Sequence, residues 1–248
     1  MSTAAPPRAR VAAQSRFEVG TLLRNGEQLL VSLILPAMVL VGLHLTSTPS
    51  LGPGRRIDVA APGVIALCIM SAAFTSQAIA TGFDRRYAVL RYLGVTPLGR
   101  GGLIAAKVLA TLVVELIQIA VLGGLAIALG WRPDLTGLPY AVLFLALGTW
   151  AFVSLAMLLA GTLRAEAVLA LANLIWIALL AAGGVIIPRG QFPETAATLA
   201  GFLPSAALAD GLRAALVEGR LDALALVVLT AWGAACSALA ARLFRWSD

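Results

Sequence analysis

Six apolar stretches constrain the fold of this chain more than any other feature of its sequence. A helix that crosses the ~30 Å hydrocarbon core of a bilayer needs about 20 apolar residues. Stretches near that length lie at residues 29–45, 64–81, 103–129, 138–163, 165–187 and 223–243. Charged residues make up only 12% of the chain, against about 25% in soluble domains. The sequence therefore predicts an all-α integral membrane protein in which residues 29–248 form a domain of six transmembrane helices.

Arginine supplies almost all of the positive charge, and Lys107 is the single lysine. Basic residues collect on the cytoplasmic side of membrane proteins. Placing both termini on that side puts about two thirds of the 18 basic residues there, so we expect cytoplasmic termini. Many alanines and the preference for arginine over lysine indicate a GC-rich bacterial genome, and thus a bacterial inner membrane. The net charge of +6 follows from this bias and does not indicate a nucleic-acid partner.

Residues 82–107 are the most distinctive part of the chain. Five basic residues lie there between two apolar stretches: Arg85, Arg86, Arg91, Arg100 and Lys107. The spacing of Tyr87, Leu90, Leu93 and Leu98 predicts a short amphipathic helix closed by Thr96 and Pro97. We expect a cytoplasmic loop on which a partner docks.

The first 28 residues also show a helical pattern. One side of a helical wheel carries Ala12, Val19, Leu22, Leu23, Leu29 and Leu30, and the other carries Arg16, Arg24, Asn25, Glu27 and Gln28. This pattern favours a cytoplasmic tail with an amphipathic helix lying along the inner leaflet. The alternative is a solvated tail.

Residues 188–222, on the predicted outer side, are too apolar for a solvated loop. Prolines and glycines divide them into pieces shorter than a span, which favours a re-entrant helical hairpin. An amphipathic helix on the outer leaflet is the alternative. The candidate residues of an outer gate are Phe192, Pro193, Phe202, Pro204 and Arg213.

Polar side chains within the spans are candidates for a substrate path, because an ionisable group in hydrocarbon costs roughly 2.5 to 3.5 kcal/mol. Glu115 lies eight residues beyond Lys107, about 12 Å deeper along the same helix. It either bonds a neighbouring helix or faces an aqueous path, and Gln118 lies one turn further. Gln77 and Asn173 complete the candidate path. These two residues and Thr75, Ser76, Thr149 and Ser154 either form hydrogen bonds between helices, which is the favoured interpretation, or line a polar path.

Several chemistries are excluded. One histidine and two separated cysteines provide no metal-ligand cluster and no catalytic histidine beside a nucleophile. The phosphate loop G-x-x-x-x-G-K-[ST] is impossible because Lys107 follows Ala106 and precedes Val108. We therefore expect no enzyme activity, metal or cofactor in this chain itself.

The chain resembles the permease subunit of type-2 ATP-binding cassette (ABC) transporters, including the daunorubicin-resistance-like exporters. Three groups of residues carry the resemblance: Asp84-Arg85-Arg86, Leu90-Arg91, Gly94, Thr96-Pro97-Leu98 and Lys107; Pro188, Phe192-Pro193, Leu203-Pro204, Leu208 and Gly211-Leu212-Arg213; and Leu243-Phe244-Arg245. One departure is Tyr87-Ala88-Val89-Leu90, where the family usually has a Gly-Thr-Leu step.

The resemblance implies an exporter built from half-transporters. It implies that residues 82–102 are a coupling loop for a separate ATPase, present in two copies that bind ATP and Mg. The implied coupling residues are Asp84, Arg85, Arg86, Tyr87, Leu90, Arg91, Leu93, Gly94, Thr96 and Pro97. A second permease chain, identical or related, would complete the path for an amphipathic drug, lipid or glycan along the first, second and fifth spans. Two alternatives stay open, an ion-driven secondary transporter and a membrane scaffold without transport.

Overall fold

The computed structural model describes residues 5–24 and 26–246, apart from the side chains of residues 27–29 and 31. Within these residues every regular element is a helix. The helices are α1 (Pro7–Arg24), α2 (Gly26–Leu45), α3 (Arg56–Met70), α4 (Gln77–Arg86), α5 (Val89–Gly94), α6 (Gly99–Ala128), α7 (Leu138–Thr162), α8 (Ala165–Ala182), α9 (Glu194–Ala200), α10 (Pro204–Glu218) and α11 (Ala223–Leu243). A π-helical segment, Ser71–Ser76, joins α3 to α4, and single 3-10 turns lie at Leu135–Gly137 and Arg189–Gln191.

Five helices within the described residues are long and apolar enough to cross a membrane: Arg56–Arg86, Gly99–Ala128, Leu135–Thr162, Ala165–Ala182 and Ala223–Leu243. A sixth is reached if the bent pair α9 and α10 forms one broken span. The prediction of an all-α membrane protein is confirmed, with five to six membrane-capable helices. The predicted stretch 165–187 ends early, because Gly184 has a left-handed φ of +63° that stops the helix.

The first predicted span, 29–45, lies within α2. Its described apolar part, Ser32–Leu45, is shorter than a full span. α2 packs on α3 and, less extensively, on α6. The side chain of Leu29 lies outside the described residues. Whether α2 is long enough to form the first span therefore stays a prediction.

The centre of the fold is the continuous helix from Arg56 to Arg86, made of α3, the π-helical segment and α4. Most of its apolar window is buried, and α2, α6, α7, α8 and α10 surround it. A π-helical turn adds a residue to the helix and is frequent at functional sites. Here it turns Ser71–Ser76 away from regular α-helical spacing in the middle of the most buried helix.

α1 is helical, as predicted, and packs along α6. The half-buried face on α6 carries Val11, Ser15, Glu18, Val19 and Leu22, whereas Ala12 and Leu23 of the predicted apolar side are exposed. Asn25 and the side chains of Glu27 and Gln28 lie outside the described residues. The position of α1 along the inner leaflet stays a prediction.

The segment 188–222 forms two helices, α9 and α10, that meet at an angle of 95°. α10 is buried from Pro204 to Leu216, apart from the half-buried Asp210, and packs against α3, α7 and α11. α9 is largely exposed, and so is Phe202 in the bend. This geometry fits either a broken span or a re-entrant hairpin, so the predicted hairpin stays a prediction.

Candidate functional site

Residues 87–98, called the α5 segment below, connect two long helices through a tight reversal. α4 ends at Arg86, and Ala88 then takes a left-handed φ of +61° before α5 begins. A residue with a Cβ is strained there by roughly 1–2 kcal/mol. Thr96 closes the segment, since its Oγ1 donates to the Leu93 carbonyl at 2.7 Å. The short helix predicted from the arginine-rich loop is therefore present. It begins within Tyr87-Ala88-Val89-Leu90, where the sequence departs from the Gly-Thr-Leu step of the family.

Two of the predicted coupling arginines bind their own chain. Arg85 is buried, and its guanidinium donates to the carbonyls of Ala160 at 2.7 Å and Leu163 at 2.5 Å. These carbonyls end α7, where backbone acceptors lack helical partners. Arg86 forms an ion pair with Glu166 in the first turn of α8. Both arginines thus attach α4 to the α7–α8 connection.

The apolar residues predicted for the coupling helix differ in their exposure. Leu90 is only 1% exposed and packs in the core of its own chain, and Leu93 is half-buried. The exposed side of the α5 segment carries Tyr87 at 70%, Tyr92 at 75% and Val95 at 86%. Arg91, Gly94, Thr96 and Pro97 are exposed beside them. Tyr92 and Val95 were missed, because a six-residue helix with apolar residues on both faces gives no periodicity to choose between them.

A groove of about 490 Å³ runs beside the exposed face of the α5 segment. α1 forms one wall and residues 93–98 form the other, and Arg10 of α1 donates a hydrogen bond to the Pro97 carbonyl. Phe17, exposed at 66%, lies in the same groove. Leu93, Thr96, Pro97 and Leu98 line the groove on the side of the α5 segment, and Phe17 adds an exposed aromatic side chain to this surface.

A cluster of charges beneath this surface joins three helices. Lys107 of α6 is 1% exposed, and its Nζ lies 3.1 Å from Glu18 Oε2 on α1. The same Nζ lies 4.0 Å from Asp84 Oδ2 on α4, and Asp84 is partly exposed. The lysine and Asp84, both predicted as part of the loop, therefore fix the loop's flanking helices to α1.

A second candidate site is a groove of about 280 Å³ between α2, the π-helical segment and α8, called the polar groove below. Its lining residues are Ser32, Leu35, Pro36, Ser71, Thr75, Ser76, Asn173 and Trp176. Trp176 Nε1 donates to Ser71 Oγ at 3.1 Å. The buried Thr75 hydroxyl has no hydrogen-bond partner among the described residues. The groove thus presents polar groups within otherwise apolar helices.

A cavity of about 30 Å³ adjoins the polar groove, with Ser32 and Ser76 lining both. Gln77 Nε2 donates to Thr111 Oγ1 at 3.0 Å, and Gln118 Nε2 donates to Ser32 Oγ at 2.7 Å. This volume is large enough for a water molecule, and the lining offers polar partners for one. Gln77 and Gln118 therefore lie behind the groove, whereas Asn173 lines it directly.

Glu115 lies apart from both cavities. It is fully buried, and Oε2 accepts a hydrogen bond from Thr149 Oγ1 of α7 at 2.5 Å. The Thr149 hydroxyl also lies 2.8 Å from the Leu145 carbonyl, although it has only one proton to donate. Oε2 thus pairs α6 with α7, whereas the buried Oε1 has no hydrogen-bond partner among the described residues, and a place of Glu115 in the path stays a prediction.

Three residues of the polar groove were missed by the sequence prediction: Ser32, Ser71 and Trp176. Trp176 follows Asn173 by three residues, which places both on one helical face, and this spacing could have identified it. Ser71 is brought to the groove by the π-helical segment, whose irregular turn has no signal in the sequence.

The five predicted gate residues fall into two groups. Phe192 is half-buried and Pro193 and Phe202 are exposed, whereas Pro204 and Arg213 are buried. Arg213 donates to the carbonyls of Gly184 at 2.8 Å and Val185 at 2.5 Å. Asp210 lies 3.6 Å from Arg213 and also pairs with Arg189. Arg213 therefore holds α10 to the segment after α8, which is a structural contact, and its role in a gate stays a prediction.

The membrane-capable helices and their polar groove define a multi-pass membrane protein. A family model described as ABC-2 type transporter matches residues 12–217, most of the chain. The chain therefore belongs to the ABC-2 type transporter family. This is a family of permeases that carry no ATPase site of their own and work with an ATPase partner. A comparison with curated proteins found no match.

Proposed function

We propose that this chain is the membrane half of an ATP-driven exporter of amphipathic molecules, and that its ATPase binds the exposed face of the α5 segment. The observation that carries the proposal is the exposure of Tyr92 and Val95 on the α5 segment, between two spans. Exposed apolar patches of this kind mark interaction sites. The arginine bias of the sequence supports a cytoplasmic location for this face, where ATP is available.

The α5 segment is suited to transmit force. Leu90 anchors it from inside, and Arg85 fixes its start to the end of α7. A partner that seats Tyr87, Tyr92 and Val95 in an apolar groove would therefore move α4 and α7 together with the segment. Arg91 adds positive charge at the rim, which favours an acidic partner surface.

The polar groove is the proposed substrate path. Its hydroxyl and amide groups lie beside Leu35 and Pro36, so it suits a molecule with both a polar and an apolar part. Asn173 is exposed at its mouth. A second permease chain, identical or related, would close this side, and two ATPase copies with bound ATP and Mg would complete the exporter. A drug, lipid or glycan carrier in a bacterial inner membrane, with both termini cytoplasmic, fits this arrangement.

Reconstitution into proteoliposomes tests the proposal. The chain is co-purified with an ATPase encoded beside its gene, and efflux of a fluorescent amphipathic dye is followed with ATP and with a non-hydrolysable analogue. We expect efflux only when both the ATPase and hydrolysable ATP are present. Efflux driven by an ion gradient without the ATPase would identify an ion-driven carrier instead. No efflux of any dye, together with stable binding of other membrane proteins, would favour a scaffold.

A further inference from the structure

Residues 244–246, called the trailing segment below, follow α11 and lie against the α5 segment. α11 ends at Leu243, and Phe244 continues in extended conformation. Phe244 is 2% exposed and packs on Gly161 in the last turn of α7, where a Cβ would have no space beside its ring. The Arg245 amide donates to the Gly161 carbonyl at 2.9 Å. The trailing segment is therefore fixed to the end of α7.

Trp246 extends from this anchor to α5. A Cβ built on Gly94, the last residue of α5, would lie 3.0 Å from Trp246 Cγ. Such a distance is closer than ordinary van der Waals contact, so only glycine lets the two approach without displacement. The Trp246 ring also meets Phe244 edge-on, with centroids 5.3 Å apart. The two aromatic rings thus fill the space between the end of α7 and the end of α5.

A further contact joins the end of α11 to the start of α6. Arg100, in the first turn of α6, donates from Nη1 to the Ala241 carbonyl at 2.9 Å. The end of α11 is therefore bound to α6 on one side of the α5 segment and to α5 itself through Trp246. α4 and α6 are joined to the α5 segment by the chain, whereas α11 reaches it through the contact of Trp246 with Gly94.

We propose that the trailing segment positions α5 and carries its movement to α11. This inference rests on the proposed function, because it assigns a route for motion that starts where the ATPase would bind. Trp246 acts as a positioning residue, since its ring packs on Gly94 at the end of α5, whereas the side chains of Tyr92 and Val95 are largely exposed. Its removal should loosen α5 and weaken coupling while the ATPase-binding face keeps its exposed residues.

Hydrogen exchange of the permease alone, in nanodiscs, tests the positioning without any ATPase. We expect the amides of residues 89–98 to exchange about tenfold faster in Trp246→Ala, and Trp246→Phe to restore most of the protection. Tenfold corresponds to ~1.4 kcal/mol of local stability. Arg242→Ala, at an exposed position one turn away, should change nothing. Unchanged exchange in Trp246→Ala, or equal acceleration throughout α7 and α10, would overturn the inference.

A second pair of variants isolates the backbone contact. Arg245→Pro removes the amide that bonds Gly161, whereas Arg245→Ala keeps it, and both remove the same charge. We expect faster exchange in residues 89–98 for the proline variant only. Equal effects of the two variants would assign the change to charge and contradict the positioning by residues 244–246.

Coupling is measured in the assembled complex. Trp246→Ala should retain its ATPase within about twofold but transport about fivefold less substrate per ATP hydrolysed, at the low end of coupling free energies. Full coupling in Trp246→Ala would overturn the transmission role. If the wild-type chain binds no ATPase, the proposed function fails, and the exchange measurement still decides whether the trailing segment positions α5.

Discussion

Buried Lys107 and half-buried Glu18 form an ion pair, with Nζ 3.1 Å from Oε2, that joins α6 to α1. Glu18 is the half-buried carboxylate of α1, and Asp84 at 4.0 Å is a weaker second partner. The pair therefore fixes α1, which forms one wall of the groove beside the α5 segment, to α6.

The first prediction concerns this pair. Lys107→Met should destabilise the protein by about 1–3 kcal/mol, because it leaves the half-buried Glu18 carboxylate without its cation. Glu18→Gln in the same background should recover part of the loss. Thermal unfolding in detergent of the two single variants and the double variant gives the interaction energy between the two side chains. Additive effects would show that the two side chains do not interact.

The second prediction distinguishes Arg86 from Arg91, which the sequence alone assigns to the same coupling role. Arg86→Glu should place two negative charges together at Glu166, and the reverse change Glu166→Arg should rescue it. The effect on stability is modest, about 0.2–1 kcal/mol, since both side chains are about half exposed. Arg91→Glu should instead weaken ATPase binding without loss of stability.

Pull-down of the ATPase and thermal unfolding, measured on the same preparations, check this prediction. Normal ATPase retention by Arg91→Glu would remove Arg91 from the proposed interface. Failure of Glu166→Arg to rescue Arg86→Glu would show that Arg86 acts through another contact.

The third prediction compares Glu115 with Asn173. Glu115→Gln retains an acceptor for Thr149 and can donate in return, so transport per ATP should stay within about twofold of wild type. Asn173→Leu removes the amide at the mouth of the polar groove and should reduce transport of amphipathic dyes. Dye efflux from proteoliposomes with the intact complex provides the measurement. A large loss of transport in Glu115→Gln, with unchanged stability, would show that Glu115 belongs to the substrate path.

The fourth prediction is a pH dependence at the loop before α7. Hydrogen bonds from the Thr136 hydroxyl and amide hold the pKa of Asp134 below its usual range. A lowered pKa in the folded state stabilises the protein above the ordinary carboxyl pKa of ~3.9 and ceases to do so as the pH falls through the lowered value. Thr136→Val should raise this pKa toward its ordinary value.

Melting temperatures of wild type and Thr136→Val, measured from neutral to acidic pH, test the sign. The difference between the two proteins should be largest near neutral pH and shrink on acidification. A difference that grows as the pH falls would contradict the assignment.

Much of the fold follows from hydrophobicity alone. The stretches 64–81, 103–129, 138–163, 165–187 and 223–243 each coincide with a membrane-capable helix, because length and apolarity are enough to define a span. The short α5 helix was also predicted from the arginine-rich loop. These features depend on local sequence, and no contact between distant residues is needed to infer them.

The site residues depended on contacts that the sequence does not encode locally. Leu90 and Tyr92 are both apolar and two residues apart, yet one is buried and the other exposed. The difference comes from packing against distant helices. In the same way, Arg85 and Arg91 lie in the same basic loop of the sequence, but Arg85 donates to the carbonyls of Ala160 and Leu163 at the end of α7 and Arg91 is exposed.

The most direct test of the central claim is retention of the ATPase by a variant of the exposed face of the α5 segment. Tyr92→Asp combined with Val95→Asp replaces two exposed apolar side chains by charges, while Tyr140→Asp provides a control at the far end of α7. We predict that the double variant remains folded in the membrane but retains at least tenfold less ATPase, a loss of ~1.4 kcal/mol, and that the control retains it fully. Full retention by the double variant, together with unchanged transport, would contradict the assignment of this face as the ATPase-binding site.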